Sequence, residues 1–265
     1  MVIAPVRSER PGSGWPHREP ATKDELDSCP FCAGREDRTP PETLTIGEPW
    51  RVRVVPNLYP AFERQEVVVH APEHVRSLAE LGDEQIGLVA EAWRRRREAE
   101  PAGYLHALVN EGKTAGGSLA HSHSQLVWLP GPPPAVATER GEPDRENVVL
   151  ERGGVIATCP RAGRVPYELL VEPAEPEPDA WSSELLPAAL RLLADLLRRL
   201  HEVCEGPIPL NAWLHTGKRW HLEVVPRLTV LAGIELGAGI YVNTLAPEQA
   251  ARQLRETASR RGGGA

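Results

Sequence analysis

The chain has no apolar run long enough to cross a bilayer, and residues 1–20 lack the apolar core of a signal peptide. Both absences lead to the expectation of a cytoplasmic protein without membrane contact. Cysteine is scarce too: four in 265 residues is not the pattern of a disulfide framework. Positive charge is in deficit. A formal net charge of −7 at pH 7 argues against nucleic acid as a partner, while leaving room for a local basic pocket that takes a phosphorylated metabolite. What is present is an ordinary globular composition, 41% hydrophobic and 25% charged. The chain is long enough for a sizeable core, as one large domain or two small ones.

Residues 1–28, rich in Pro, Gly and charge, read as an irregular arm. Trp50 to His70 reads as strand, turn, strand: Val52 and Val54 alternate, residues 57–60 turn, and Val67, Val68 and Val69 are β-branched. Ile86, Val89, Ala90 and Trp93 share one face of a helix expected over about 83–99. Its Arg94–Arg97 run reads as a solvated helix end favoured by the helix dipole. Strands are expected over 105–110 and 122–128, around a glycine-rich turn. Residues 131–147 form a linker-like break, after which the order recurs: strands at 155–158 and 167–171, a Leu-rich helix at about 183–204, and strands at 210–215 and 220–225. A last helix starts near Pro247. The expected fold is therefore α+β, with two related halves (29–130 and 148–256) from an internal duplication, and a Gly-rich tail over 257–265.

Two motifs carry chemistry. Residues 121–125 read His-Ser-His-Ser-Gln, and strand alternation sends His121, His123 and Gln125 to one face beside Gly116-Gly117-Ser118. Such a face can bind a metal, attack phosphorus and hold phosphoryl oxygens. Cys29-Pro-Phe-Cys32 supplies two thiolates from a tight turn, half of a tetrahedral zinc shell. No second C-x-x-C exists, so histidines must complete it, with His74 and one of the 121/123 pair best placed. A redox pair is the alternative, disfavoured because the thioredoxin strand-to-helix context is missing. Cys159 and Cys204 read as small buried hydrophobes, and His70, in an apolar strand, as a hydrogen-bonded core histidine.

In combination, Cys29-x-x-Cys32, Asn57-x-Tyr59-Pro60, Pro72-Glu73-His74, Asn110-x-Gly112 and His121-x-His123-x-Gln125 resemble, in that order, the galactose-1-phosphate uridylyltransferase family of the histidine-triad superfamily. Residues 220–228 and 232–243 resemble the second half of its members, so the likeness covers roughly 28–256. The resemblance implies a structural zinc on Cys29, Cys32, His74 and His121, and His123 as the nucleophile that takes the nucleotidyl group. It implies Gln125 as the phosphoryl-holding glutamine, and Asn57, Asn110, Gly117, Ser118 and Glu235 as substrate-binding. It also implies a homodimer. Some relatives hold a second metal in the C-terminal half; His215, His221 and Glu223 stand near that place, but H-x-E replaces their paired histidines, and a structural or acceptor-pocket role is preferred.

A neutral imidazole is a competent nucleophile near neutral pH, and its second nitrogen needs an orienting acceptor. Gln125 donates without acting as an acid, so a covalent intermediate waits for a phosphorylated acceptor. The expected reaction is ping-pong nucleotidyl transfer, with UMP exchange between UDP-glucose and a hexose 1-phosphate placed first. An ADP-glucose phosphorylase-like transfer of AMP to inorganic phosphate is the alternative. It draws on His-Ser-His-Ser-Gln together with Glu235-Leu-Gly-Ala-Gly239, a combination that resembles the ADP-glucose phosphorylases; Thr229, Ile234 and Tyr241, where the better-known members carry a lysine, a tyrosine and a glutamine, and Leu58 in place of an acidic residue leave hexose and base open. A non-catalytic zinc-stabilised nucleotide-binding protein is the third reading.

Overall fold

The computed structural model describes residues 1–9, 14–136 and 143–262. In chain order its elements are β1 (Val2–Ile3), α1 (Lys23–Ser28), β2 (Leu44–Ile46), β3 (Val52–Pro56), β4 (Gln65–Val69), α2 (Asp83–Ala99), β5 (Tyr104–Glu111), β6 (His123–Leu129) and β7 (Val148–Arg152). There follow β8 (Val155–Thr158), β9 (Leu169–Pro173), α3 (Leu186–Val203), β10 (Leu210–His215), β11 (His221–Pro226), α4 (Gly233–Ala238), β12 (Val242–Asn243) and α5 (Pro247–Gly262).

Ten strands make one antiparallel sheet in the order β2-β3-β4-β6-β5-β10-β11-β9-β8-β7. Each half places its five strands in the order first, second, third, fifth, fourth, with a long helix between third and fourth. The two fourth strands, β5 and β10, pair at the centre, Asn110 opposite Asn211. The expected α+β architecture forms, and its two halves repeat one topology.

The long helices α2, α3 and α5 cover one face. Ile86, Val89, Ala90 and Trp93 of α2 are buried, as are Leu186, Leu190, Leu193, Leu197 and Leu200 of α3, and a single core runs beneath both halves. Pro187 in the first turn of α3 fits a position whose N–H has no helical partner. On the opposite face Val55, Val67 and Val69 pack with Cys29 and Phe31, which leads to the site.

Some expectations need correction. Each half has one strand more than the sequence suggests, because β2 is three residues long and β7 ends on exposed Glu151 and Arg152. Tyr167, expected in a strand, has φ 57° and precedes β9. The arm is not wholly irregular: Thr22 caps α1 by accepting from the Glu25 N–H, and β1 runs parallel to β12. Arg96 is buried, donating to both carboxylate oxygens of Glu66 at 2.7 Å, so the arginine run is not simply solvated. α5 continues to Gly262, into the tail expected over 257–265; part of the expected linker, 137–142, and the last residues, 263–265, lie outside the described residues.

Candidate active site and metal centre

His70 stitches the site strand from behind. It is fully buried, with Nδ1 2.9 Å from Ser122 Oγ and Nε2 3.0 Å from Ser124 Oγ, and Trp93 Nε1 donates to Ser124 Oγ. Burial holds its pKa well below the ordinary value, so it is a neutral core histidine. With Ser122 and Ser124 turned to the helix side, the alternate residues face the other way.

There, the rings of His121 and His123 both stand edge-on to Phe31, at centroid distances of 6.0 and 5.4 Å. His121 lies just before β6, not within it as the alternation argument assumed. Its Nδ1 is 3.5 Å from Cys29 Sγ and 3.7 Å from Cys32 Sγ, and His74 Nδ1 is 3.3 Å from Cys32 Sγ. Ligand atoms of all four residues lie within 4.8 Å of one another. Zinc bonds of ~2.3 Å to sulfur and ~2.05 Å to nitrogen at tetrahedral angles put sulfur and nitrogen roughly 3.5 Å apart, so the donor set fits such an ion. The outer ring nitrogens fit it too. His121 Nε2 is 2.9 Å from the Ala71 carbonyl oxygen and His74 Nε2 is 2.9 Å from Glu25 Oε1. Both outer nitrogens then donate, leaving each Nδ1 lone pair aimed at the thiols. Burial lowers the His121 pKa to about 4, keeping the ring neutral, and burial raises the Cys32 thiol to about 11; a bound cation reverses the thiol's preference. Arg53, completely buried, donates to the Pro30 carbonyl and steadies the knuckle.

His123 Nδ1 is 2.7 Å from the His121 carbonyl oxygen. A carbonyl only accepts, so Nδ1 carries the proton and Nε2 the lone pair. Burial lowers the His123 pKa, against the raising effect of that bond. The orienting acceptor expected from the chemistry is therefore this carbonyl. Gln125 stands opposite Val67 and His123 opposite Val69, and Gln125 Oε1 accepts from Gln65 Nε2 at 2.5 Å. Asn57 begins the adjoining turn, its N–H donating to the Gln65 carbonyl and its Oδ1 accepting from the Tyr59 N–H.

Asn110 lies on the same face of β5 as Leu108, which pairs with Gln125. Its Oδ1 accepts from Asn211 Nδ2 at 2.7 Å, and Asn211 Nδ2 also donates to the Ala115 carbonyl at 2.7 Å. The turn after β5 is tight: the Gly117 N–H donates to the Gly112 carbonyl, and a Cβ on Gly117 would lie 2.7 Å from the Asn110 carbonyl oxygen. Gly117, Ser118 and Lys113 line a cleft of about 580 Å³ with Arg18 and Arg76. Glu235 caps α4 instead, its Oε2 accepting from the Ala232 N–H, which lowers its pKa. Thr229 and Tyr241 line a separate cleft with Asn211 and Arg164. Ligand atoms of His215, His221 and Glu223 also lie within 4.8 Å of one another, a second group able to hold a cation, with Glu223 engaged by Arg164.

Sequence reasoning brought the cysteines, His74, His121, His123, Gln125, Asn110 and the glycine turn to one region. It missed Glu25, Gln65 and Asn211, which act through partners distant in sequence.

Residues 59–130 match the model of the galactose-1-phosphate uridyl transferase N-terminal domain. Over the whole chain, an ADP-glucose phosphorylase from Arabidopsis thaliana is 26% identical, covering 97% of this chain and 89% of the relative. A galactose-1-phosphate uridylyltransferase from Thermotoga maritima is 22% identical over 86% and 89% of the two chains. The solved structure of an Arabidopsis thaliana ADP-glucose phosphorylase with bound ADP-glucose superposes with a TM-score of 0.82 at 27% identity, covering 96% and 94%. No helix among the described residues is long and apolar enough to cross a membrane. By its matched segment, its whole-chain similarity and its fold, the chain is similar to nucleotidyltransferase-type enzymes, the galactose-1-phosphate uridylyltransferases and ADP-glucose phosphorylase.

Proposed function

We propose that the protein transfers a nucleotidyl group from a nucleotide-sugar by double displacement through His123. The observation that carries this reading is the His123 tautomer: Nδ1–H donates to the His121 carbonyl, so Nε2 is the unprotonated nitrogen, on a strand that also carries Gln125 and that pairs with β5, where Asn110 lies. That nitrogen attacks the α-phosphorus, the bond from phosphorus to the bridging oxygen breaks, and hexose 1-phosphate departs. In the second half-reaction an acceptor oxygen attacks the same phosphorus and the neutral imidazole returns. Carboxamide N–H groups and the turn around Gly117 and Ser118 bind phosphoryl oxygens and match the charge that develops on them. Asn57 serves the nucleoside side. Glu235 serves the sugar side, and must first leave its capping bond.

Similarity to the ADP-glucose phosphorylase supports ADP-glucose as donor and inorganic phosphate as acceptor. Exchange of UMP between UDP-glucose and a hexose 1-phosphate is the second reading, supported by the matched uridyl transferase domain. A zinc ion on Cys29, Cys32, His74 and His121 supplies a cross-link between the knuckle and the site strand, and takes no part in bond making. The halves 29–130 and 148–256 act as one unit joined at the sheet, and a homodimer is the assembly we expect.

The test offers radiolabelled ADP-glucose or UDP-glucose without acceptor and looks for acid-labile label on the protein. Label is expected with one donor, mass spectrometry placing it on His123, and His123→Gly should abolish both label and turnover. Wild-type protein that turns over without ever acquiring label would refute the covalent route; no label and no turnover with any nucleotide-sugar would favour the non-catalytic binder.

A further inference from the structure

We infer that Gln65 and Asn211 are positioning residues, which turn the carboxamides of Gln125 and Asn110 so that both present N–H groups to a phosphoryl group at His123. This rests on the reading of His123 as the nucleophile. A carboxamide offers a donor and an acceptor at two ends of similar shape, so a binding site must impose which end faces the ligand. Here two backbone groups impose it, one on each side of His123.

On the β4 side the Ala61 N–H donates to Gln65 Oε1 at 2.9 Å. A backbone N–H has no acceptor character, so the Gln65 oxygen faces Ala61 and its Nε2 faces Gln125. Gln65 Nε2 then donates to Gln125 Oε1 at 2.5 Å, which leaves the Gln125 NH₂ for a ligand. On the β10 side the sense of the anchor is reversed but the result is the same. The Ala115 carbonyl only accepts, so the group 2.7 Å from it is Asn211 Nδ2. The other N–H of that amide donates to Asn110 Oδ1 at 2.7 Å. Because β5 lies between β10 and β6, an Asn110 oxygen held toward β10 leaves its NH₂ for the side where β6 carries His123. Phosphoryl oxygens only accept, so either amide in the opposite sense would turn a donor into a repulsion. The Asn211 amide further ties the turn that ends in Ala115 to the second half, so each half contributes to the orientation of one site.

The isosteric acids test this, because they keep the volume and reverse the hydrogen-bond sense. In Asn211→Asp the new carboxylate faces two acceptors, and Asn110 turns its NH₂ toward it. In Gln65→Glu the Ala61 N–H still finds an oxygen, and Gln125 turns its NH₂ toward the introduced carboxylate. The rate of nucleotidyl-protein formation in a single turnover should fall about 100-fold in each, as for loss of an oxyanion donor, and by about 10-fold in Asn211→Ala and Gln65→Ala, which free the amide without reversing it. A packing role predicts the reverse ranking, with the acids near wild type. In an Asn110→Ala background Asn211→Asp should cost less than about 3-fold more, and likewise Gln65→Glu in Gln125→Ala. Acids within about 3-fold of wild type, alanines slower than acids, or additive double variants would overturn the inference. Affinity for AMP, measured on the same proteins with zinc content as the folding control, gives a second readout. If wild type forms no adduct the covalent route fails, while a weaker AMP affinity in the acids than in the alanines still decides the orientation; equal affinities overturn it.

Discussion

At the scale of single residues, the chemistry depends on which atom of an imidazole carries the proton, and backbone carbonyls or a carboxylate decide it. Ala71 O, His121 O and Glu25 Oε1 fix His121, His123 and His74 respectively. Glu25 is the one of these that substitution can reach. It lies on α1 of the arm and also pairs with Arg76 at 2.9 Å. Glu25→Gln keeps the shape but removes the charge that draws the His74 Nε2–H outward. Zinc retention against a competing chelator should weaken by about 10–100-fold, with the fold intact in circular dichroism; unchanged retention would show that the His74 orientation is set elsewhere.

At the scale of elements, the turn between β5 and β6 is closed by backbone contact. Gly117→Ala puts a Cβ within 2.7 Å of the Asn110 carbonyl oxygen and 3.1 Å of the Gly112 carbonyl oxygen, and neither backbone atom can swing aside as a side chain would. The turn must shift, and a displacement of about 1 Å at a reacting centre costs on the order of 100-fold in rate. Nucleotidyl transfer should therefore drop steeply while the melting temperature changes little; equal rates would mean the turn does not touch the reacting phosphoryl group. The strongly periodic elements are the ones legible in the chain: α2 spans Asp83–Ala99 and β10 spans Leu210–His215, as the patterns of those segments predict. Edge strands β2 and β7 were not legible, since a short strand with one neighbour need not bury alternate residues. The same distinction holds in the site. His-Ser-His-Ser-Gln and Cys-Pro-Phe-Cys announce themselves by local spacing. Glu25, Gln65 and Asn211 meet their partners across 49, 60 and 101 residues of chain, so no local pattern marks them.

At the scale of the whole molecule, the arm links the two halves: Val2 and Ile3 pair with β12, His17 Nε2 is 2.6 Å from the Cys204 carbonyl oxygen, and Arg18 reaches buried Glu111. His201 lies near this path, its pKa lowered to about 4 by burial and by Arg18. A histidine depressed in the folded state binds its proton first in the unfolded state, near pH 6.5. Its stability contribution is thus complete above about pH 6.5 and is lost progressively toward pH 4. Urea midpoints should fall between pH 7 and pH 5, and His201→Gln should flatten that slope relative to wild type; parallel slopes would assign the acid sensitivity to other groups. The central strand pairing bears on kinetics as well. Because β5 and β10 hydrogen-bond through the centre, the described residues of the two halves share one continuous sheet, and swinging them apart to admit a substrate would break that pairing. Under the proposed function, exchange of ligands at His123 would belong to the turns on the open face, and the speed of their rearrangement, not of a domain closure, would be the natural upper bound on turnover.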